Sequence, residues 1–188
     1  MLAWSRMIAV GCALWMTTGE ARAQFRDYVL DAAHTSIGFM VHHIGYADTL
    51  GLFREVEGRF AYDEAAPAVR DVYVEVPAAS VFSNNEARDE HARGADFLDA
   101  GDHPLIVFEG KEATPTGERT GTITGDLTLR GVTREVTFDL ELNKAGPYPF
   151  DPTGGGEPPY VVGVSARATI DRSDFGMTYA VEPGWVGD

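Results

Sequence analysis

The sequence predicts an all-β fold in which an antiparallel sheet closes on itself to form a small barrel. Three observations predict it: many runs of alternating apolar and polar residues, one short stretch with helical spacing, and no cysteine beyond the extreme amino terminus. Alternation with a period of two is typical of antiparallel strands that have one buried and one solvated face. Many similar strands without disulfides bury their apolar faces by closing the sheet.

Seven runs predict strands, and in most of them the apolar side chains alternate onto one face. The run VTFDLEL, for example, aligns Val136, Phe138 and Leu140. The predicted strands are SIGFMV from 36, VEGRFAY from 56, VYVEV from 72, LIVFEG from 105, TITGDLTL from 122, VTFDLEL from 136 and VVGVSARATI from 161. The pair Arg130-Gly131 lies between two of these runs and predicts a hairpin turn, because glycine takes a positive φ angle without steric cost.

One stretch departs from the alternation. Between Ser83 and Pro104, the residues Ala87, His91, Gly94 and Leu98 follow one another at offsets of four, three and four. That spacing predicts a single helix near 85–98, inserted between two strands. An asparagine at 84 or 85 suits the N-cap, and Pro104 ends the segment before the next strand.

The first residues predict a secretory signal peptide, residues 1–23, followed by one domain, residues 24–188. Arg6 precedes a ten-residue apolar run, and Ala21-Arg22-Ala23 has the small-x-small pattern of a cleavage site. Ten apolar residues are too few to span a bilayer, and no second segment approaches that length, so no membrane span is expected. Cleavage would remove Cys12, the only cysteine, and with it any disulfide or thiol chemistry.

Net charge restricts the partners. The whole chain carries a formal charge of −14. Without residues 1–23, 13 basic and 28 acidic residues remain, a formal charge of −15. This charge opposes binding to nucleic acid and to anionic lipid surfaces, and the sequence has no cluster of lysine and arginine to override it.

Four blocks of the sequence, in order, resemble the YceI-like family. They are LDAAHTSIGFMVHHIGYADTLGLFREVEGRFAYD, ASVFSNNEARDEHARGADFLDAGDHPLIVFEG, GTITGDLTLRGVTREVTF and IDRSDFG, within residues 27–176. The resemblance implies a lipocalin-like, extended antiparallel barrel of about eight strands that holds an isoprenoid chain, either a polyprenyl phosphate or a quinone tail. It also implies a periplasmic protein, linked in some members to alkaline or osmotic stress, and it brings no established catalytic residues.

The carboxyl-terminal sequence departs from this pattern. Relatives continue past the DFG block with a final strand, whereas here the block is followed by VEPGWVGD near the end. We therefore expect an open seam in the barrel, or a last strand that is paired on one side only.

A barrel that holds a lipid needs apolar walls and a few polar groups that fix the head group. The predicted apolar lining consists of Phe39, Val41, Phe53, Phe60, Phe82, Phe97, Phe108, Leu127 and Leu129. The predicted polar contacts are His34, His42, Arg88 and His91, which can donate hydrogen bonds to a phosphate or to a quinone carbonyl. For Arg88 a second role stays open, in which it pairs with strand neighbours and fixes the helix across the barrel.

Other functions were weighed on the same residues. Catalysis by Arg88, Asp89 and His91 is disfavoured because adjacent helical residues point about 100° apart, and neither a G-x-S-x-G motif nor a cysteine nucleophile accompanies them. A haem or metal module for electron transfer is the first alternative. His42 and His43 are neighbours in a strand, so one is expected to face inward and to meet histidines from other strands. The second alternative is a ligand-free barrel that acts in a stress response.

The expected ligand is an isoprenoid lipid, with no obligatory cofactor and no enzymatic activity. Burial of ten methylene groups supplies about 8 kcal/mol gross, which corresponds to roughly micromolar affinity before ordering costs. The charge of −15 weakens the attraction for a pyrophosphate, so we expect a quinone ahead of a polyprenyl phosphate. Besides the lipid, the partner considered is a second copy in a homodimer.

Overall fold

A computed structural model describes residues 23–151, 156–182 and 185–188. The predicted signal peptide, residues 1–23, lies outside the described residues except for Ala23. The strands of the described chain are β1 (Phe25–Val29), β2 (Ile37–His43), β3 (Ala47–Phe53), β4 (Glu57–Asp63), β5 (Ala68–Pro77), β6 (Val81–Phe82), β7 (Leu105–Pro115), β8 (Thr120–Leu129), β9 (Val132–Pro147) and β10 (Tyr160–Arg167). One α-helix, α1 (Glu86–Arg93), and two 3-10 helices, Ala78–Ser80 and Arg172–Phe175, complete the described elements.

The strands form two antiparallel sheets. Seven of them, in the order β1-β4-β5-β7-β8-β9-β10, form a strongly curled sheet that makes a half-barrel, and β2-β3-β6 form a smaller sheet. The predicted all-β, lipocalin-like barrel is confirmed. Two details differ, since there are ten strands rather than about eight, and two sheets rather than one closed sheet. Three of the strands, β1, β3 and β6, lack the regular alternation that revealed the others.

The described chain has the open seam that was expected between β1 and β10. Within the described chain, β1 pairs only with β4 and β10 pairs only with β9, so each end strand of the large sheet has one partner. At one end, Tyr160 of β10 is near enough to Tyr28 of β1 to contribute electrostatically to its raised pKa.

The alternation along β8 shows which face of the large sheet is internal. Ile123, Leu127 and Leu129 are buried on the inner face. On the outer face, threonine hydroxyls pair with those of β9, Thr124 with Thr137 at 2.7 Å among them. The hairpin between β8 and β9 turns at 130–131 with φ angles of 51° and 70°, the type I′ geometry that glycine favours, as predicted.

Two glycines on inner faces make room for aromatic rings. A Cβ atom at Gly51 would lie 2.2 Å from Cζ of Phe39, and one at Gly125 would lie 2.8 Å from Cζ of Phe108. Both distances are below van der Waals contact, so these rings lie directly across the backbone of the neighbouring strand. The sequence pattern did not reveal this role of either glycine.

Helix α1 is shorter than predicted. Asn85 caps it, since its side chain accepts a hydrogen bond from the backbone N–H of Arg88 at 2.9 Å, and the helix ends at Arg93. Turns carry the chain from Gly94 to β7. The residues whose spacing predicted the helix are not what buries it, because the buried residue of α1 is the charged Asp89.

Candidate ligand-binding site

One apolar cluster fills the space between the two sheets. Its buried members are Ala78, Val81, Leu98, Phe108, Ile123, Leu127, Leu129, Val136, Phe175 and Met177. Partly buried side chains from both sheets and from the segment after α1 pack against it. Six of the nine predicted lining residues lie together in this cluster, namely Phe39, Phe53, Phe97, Phe108, Leu127 and Leu129.

Aromatic pairs line the cluster from each sheet. In the small sheet, the rings of Phe39 and Phe53 lie 5.4 Å apart. In the large sheet, Phe108 and Phe138 meet edge to face at 4.9 Å. Such rings supply most of the apolar area that a buried lipid chain could contact.

The other three predicted lining residues lie apart from this cluster. Phe60 stacks on Tyr28 at 5.3 Å, near the seam. Phe82 packs beneath the guanidinium of Arg54, 5.1 Å from its ring centre. Val41 is half-buried on β2, on the face that also carries Phe39. The predicted lining therefore divides into a central group and three peripheral side chains.

Two of the four predicted polar contacts lie on the surface. His34 pairs with Asp31 at 2.6 Å, in the turn after β1, and is exposed. His42 pairs with Asp48 of β3 at 2.9 Å, on the outer face of the small sheet. The expectation that His42 or His43 faces inward is wrong, because both are exposed at the end of β2.

Arg88 makes scaffold contacts. Its guanidinium donates to the side-chain and backbone oxygens of Ser83, at 2.7 and 2.5 Å. The buried carboxylate of Asp89 accepts from the hydroxyl and the backbone N–H of the same serine. Adjacent helical residues thus converge on Ser83 and fix the start of α1 to the end of β6.

His91 is the predicted polar contact whose ring meets the apolar cluster. Its imidazole meets the ring of Phe97 edge to face at 4.9 Å, and that of Tyr179 at 5.0 Å. Its Nε2 lies 2.9 Å from a carboxylate oxygen of Asp96, and the side chain is 43% exposed. His91 therefore sits at the boundary between the cluster and solvent.

Three further arginines hold the same end of the barrel by donating to backbone carbonyls. Arg93 donates to Ala79 and Val81, and Arg130 donates to Ala95 and Gly176. Arg172 completes the set. We call Arg88, Arg93, Arg130 and Arg172 the arginine latch.

Arg172 is the buried member of the arginine latch. It donates to the carbonyls of Met177, Tyr179, Val186 and Gly187. Burial lowers the pKa of its guanidinium, and the nearby Asp188 carboxylate opposes that shift. The tail it holds pairs in turn with β2, where Gly187 donates to His42. Sequence reasoning missed Arg93, Arg130 and Arg172 as a group, although all three lie in or beside the blocks that carry the family resemblance.

Aromatic residues occupy the opposite end of the strands. Tyr28, Tyr62 and Tyr160 lie there with Phe60, and we call these four residues the tyrosine rim. Burial, followed by a 2.6 Å hydrogen bond that the hydroxyl donates to Glu64, raises the pKa of Tyr28 to about 12. Burial and the nearby Tyr160 likewise raise the pKa of Tyr62.

Two cavities lie outside the central group of rings. One, of about 320 Å³, is bordered by the start of β8, the middle of β9 and the end of β10, including Asp139 and Arg167. The other, of about 250 Å³, lies beside Arg54 and Glu75. In the described residues, no three histidine, cysteine, aspartate or glutamate side chains come together to hold a metal ion. None of the described helices is long and apolar enough to cross a membrane.

Comparison with known proteins places these observations in a family. A family model described as a YceI-like domain matches residues 28–188. The chain belongs to the YceI-like family. A UPF0312 protein of Pseudomonas savastanoi is 37% identical over 172 residues, which covers 90% of this chain and 84% of the relative. A UPF0312 protein of Azotobacter vinelandii is 36% identical and covers 94% and 88%.

Solved structures show the same fold. The YCEI protein of Campylobacter jejuni is 28% identical, with a TM-score of 0.65, and the match covers 85% of this chain and 91% of that one. BcnA of Burkholderia cenocepacia matches with a TM-score of 0.71 at 20% identity, over 84% and 92%. The YceI-like family has a fold known for binding polyisoprenoids, and it is a family of binding proteins rather than of enzymes.

Proposed function

We propose that this YceI-like protein is an exported, periplasmic binding protein that holds an isoprenoid lipid between its two sheets and catalyses no reaction. One observation carries the proposal. A continuous apolar cluster joins both sheets, and many of its members, Phe39, Phe53 and Phe97 among them, are only partly buried. Partly buried rings on facing sheets can exchange their contacts with each other for contacts with a lipid chain.

The head group that fits is neutral or weakly charged. The charged side chains buried near the cluster are already bound: Asp89 accepts from Ser83, and Arg172 donates to backbone carbonyls. The acidic chain adds no long-range attraction for a phosphate. His91, at the margin of the cluster, can donate to a carbonyl oxygen. A quinone therefore fits better than a polyprenyl phosphate.

The lipid would enter along the seam. β1 and β10 are each paired on one side, so no backbone ladder has to break for them to separate. The arginine latch lies at the other end of the strands, where its side-chain hydrogen bonds hold α1, the turn at 130–131 and the carboxyl-terminal tail together. Opening at the tyrosine rim then exposes the cluster while the latched end stays assembled.

Native mass spectrometry of the purified protein, followed by lipid extraction, tests the proposal. We expect a co-purifying quinone of defined mass. A phosphorylated prenol as the dominant species would refute the proposed head group. A protein that carries no lipid and binds no added ubiquinone would refute the proposed function.

A pair of variants connects the binding to the cluster. Phe39→Ala removes a partly buried ring from the cluster and should weaken ubiquinone binding by roughly tenfold, the equivalent of about 1.4 kcal/mol. Phe150→Ala removes an equally large ring that is 60% exposed and outside the cluster, so binding should not change. Equal affinities for the two variants, both shown by circular dichroism to be folded, would place the lipid elsewhere.

A ligand-free barrel that acts through protein contacts is the second candidate. It is favoured by the close packing of Phe108 on Phe138, whose ring centres lie 4.9 Å apart, because rings in contact leave no space between them for a lipid chain. Hydrogen exchange in the presence and absence of ubiquinone separates the two functions. Slower amide exchange on addition of ubiquinone, in the strands that line the apolar cluster, supports the carrier. Unchanged exchange supports the ligand-free barrel.

A further inference from the structure

The residue before β1 is bound to a buried carboxylate at the end of β4. The backbone N–H of Gln24 donates to Oδ2 of Asp63 at 2.9 Å. Asp63 is only 1% exposed, whereas Gln24 is exposed. The next residue, Phe25, lies opposite Asp63 in the ladder between β1 and β4, so this hydrogen bond closes the end of that ladder.

The two carboxylate oxygens of Asp63 have different partners. Oδ1 accepts from the backbone N–H groups of Ala65 and Ala66, at 2.9 and 3.2 Å, in the turn after β4. Oδ2 accepts from Gln24. Burial raises the pKa of Asp63, but the hydrogen bonds from these backbone N–H groups outweigh it, so the pKa lies below its usual value. The buried group is therefore a carboxylate at neutral pH.

Among the described residues, no cationic side chain pairs with this carboxylate. Arg26 pairs with Glu64 at 3.1 Å, and Arg70 pairs with Asp71 at 3.2 Å. Aspartate is almost never fully buried without a partner of opposite charge, because a carboxylate is costly to remove from water. The other titratable groups nearby are Tyr28 and Tyr62, whose raised pKa values keep them neutral at physiological pH.

The nitrogen that is bound to Oδ2 is the atom that the predicted signal cleavage would change. Cleavage between Ala23 and Gln24 turns the peptide N–H of Gln24 into an α-ammonium group. The same nitrogen then carries a positive charge and further donors, which can face water because Gln24 is exposed. We infer that Asp63 is the binding site for the amino terminus that processing creates, and that the two form a salt bridge that the precursor lacks.

The salt bridge would strengthen the attachment of an edge strand. A hydrogen bond between charged groups contributes more to stability than one to a neutral peptide N–H. Within the described chain, β4 is the only strand that pairs with β1. Processing would therefore fix β1 to β4 more firmly than in the precursor. The inference rests on the export in the proposed function, and it does not depend on the lipid.

The same contact would protect Gln24 from cyclisation. An amino-terminal glutamine cyclises when its neutral α-amine attacks the carbon of its own side-chain amide. A new C–N bond closes a lactam, the bond to the amide nitrogen breaks, and that nitrogen leaves as ammonia with a proton from the amine. An α-ammonium group has no free electron pair for this attack. Pairing with Asp63 favours the ammonium form, so the processed protein should keep an uncyclised amino terminus.

Export of the full chain in a bacterial host, followed by intact mass measurement and urea denaturation, tests the inference. We expect an uncyclised amino terminus at Gln24. Insertion of Gly-Ser between Ala23 and Gln24 keeps a peptide N–H at Gln24 and the net charge, but it moves the ammonium away from Asp63. At pH 7 the unfolding equilibrium constant of this variant should be roughly fivefold larger than that of the parent.

The difference between parent and insertion variant should depend on pH. The carboxylate raises the pKa of the α-ammonium in the folded protein above its usual value of about 7.7. The stabilisation is therefore complete below that pH, and it is lost as the pH rises through the higher pKa of the folded protein. A general effect of a longer amino terminus would not follow this titration.

Asp63→Asn separates the two roles of the carboxylate. It keeps an oxygen for the turn but replaces Oδ2 with an amide group that cannot accept from Gln24. In this variant, the Gly-Ser insertion should not change the unfolding equilibrium constant further, and without the insertion Gln24 should cyclise faster than in the parent. Asp27→Asn is the matched control, because Asp27 is an exposed carboxylate of β1, and it should behave like the parent.

Several results would overturn the inference. They are a processed protein that does not begin at Gln24, equal unfolding constants for parent and insertion variant at pH 7, and a difference between them that does not change with pH. These comparisons do not require Asp63→Asn to fold. A chain that is never processed would refute the proposed export as well. Ubiquinone binding, measured in detergent, reports on the proposed lipid carrier separately.

Discussion

The two ends of the half-barrel are held together by different chemistry. At one end, the arginine latch donates hydrogen bonds to backbone carbonyls. Its arginines lie on α1, in the turn at 130–131 and on the 3-10 helix Arg172–Phe175. At the other end, the ring contacts of the tyrosine rim link β1 to β4, and within the described chain no backbone ladder connects β1 to β10. Strong, charge-assisted bonds therefore assemble one end, whereas β1 and β10 share no described backbone ladder at the other.

This difference teaches where a barrel of this kind can open. A guanidinium bound to several carbonyls is costly to displace, because each carbonyl loses a partner at once. At the tyrosine rim, the ring pairs of Tyr28 with Phe60 and with Tyr62 link β1 to β4, so β1 and β10 can separate without breaking them. Motion that admits a ligand should therefore occur at the tyrosine rim, while the arginine latch acts as the fixed end.

Removal of Arg172 should have the largest effect on stability. In Arg172→Ala, the carbonyls of Met177, Tyr179, Val186 and Gly187 lose their donor, and the tail loses its attachment. We expect a loss of about 3 kcal/mol in the free energy of unfolding, measured by urea denaturation. Arg172→Lys keeps the charge without the planar fork and should recover less than half of the loss.

Arg119→Ala is the control for this prediction. Arg119 also donates to two backbone carbonyls, those of Leu142 and Asn143, but it is exposed near the other end of the strands. Water can replace it, so its removal should cost less than about 1 kcal/mol. Equal losses for the two alanine variants would mean that the latched end has no special importance for stability.

Hydrogen exchange should show whether the edge strands of the large sheet open separately from its middle strands. The backbone amides of β7 and β8 lie in the middle of the large sheet, whereas those of β1 and β10 lie at its two edges. We expect the edge strands to exchange at least roughly tenfold faster under native conditions, because they open locally without global unfolding. Exchange that is uniform across the sheet would show that the seam does not open separately from the rest.

The fold could be predicted because its strongest elements carry local patterns. The alternation along β8, the positive-φ turn at Gly131 and the capping asparagine before α1 each depend on a few neighbouring residues. β3 and the two-residue β6 could not be found in this way, since their pairing depends on distant strands. Because these two strands could not be found, the division into two sheets could not be predicted either.

The candidate site was harder to predict, because it depends on which direction each polar side chain points. Helical spacing alone could not show that Arg88 and Asp89 both bind Ser83. The alternation along β2 placed Phe39 correctly on the inner face, and the same alternation puts His42 on the outer face, where the structure has it, so His42 was not a consistent choice for a head-group contact. The arginine latch connects residues far apart in sequence, so no local pattern reports it.

The smallest predicted effect concerns a single hydroxyl at the tyrosine rim. The pKa of Tyr28 is raised from 10.0 to about 12, by burial first and then by its hydrogen bond to Glu64. Because the folded pKa lies above the unfolded one, the neutral phenol stabilises the fold fully below pH 10 and this contribution is lost as the pH rises towards 12. In a titration of tyrosinate absorbance, Tyr28→Phe should remove one transition near pH 12.

A second variant links that hydroxyl to the seam. Tyr160 of β10 contributes to the raised pKa of Tyr28 across the seam, by an amount smaller than burial and the Glu64 bond. Tyr160→Phe should therefore move the Tyr28 transition slightly to lower pH, whereas Tyr148→Phe, at the end of the β9–β10 connection, should leave it in place. A Tyr28 transition that does not respond to Tyr160→Phe would mean that β1 and β10 do not meet in solution. The rim would then already be open, and the binding site would need no opening motion to admit a lipid.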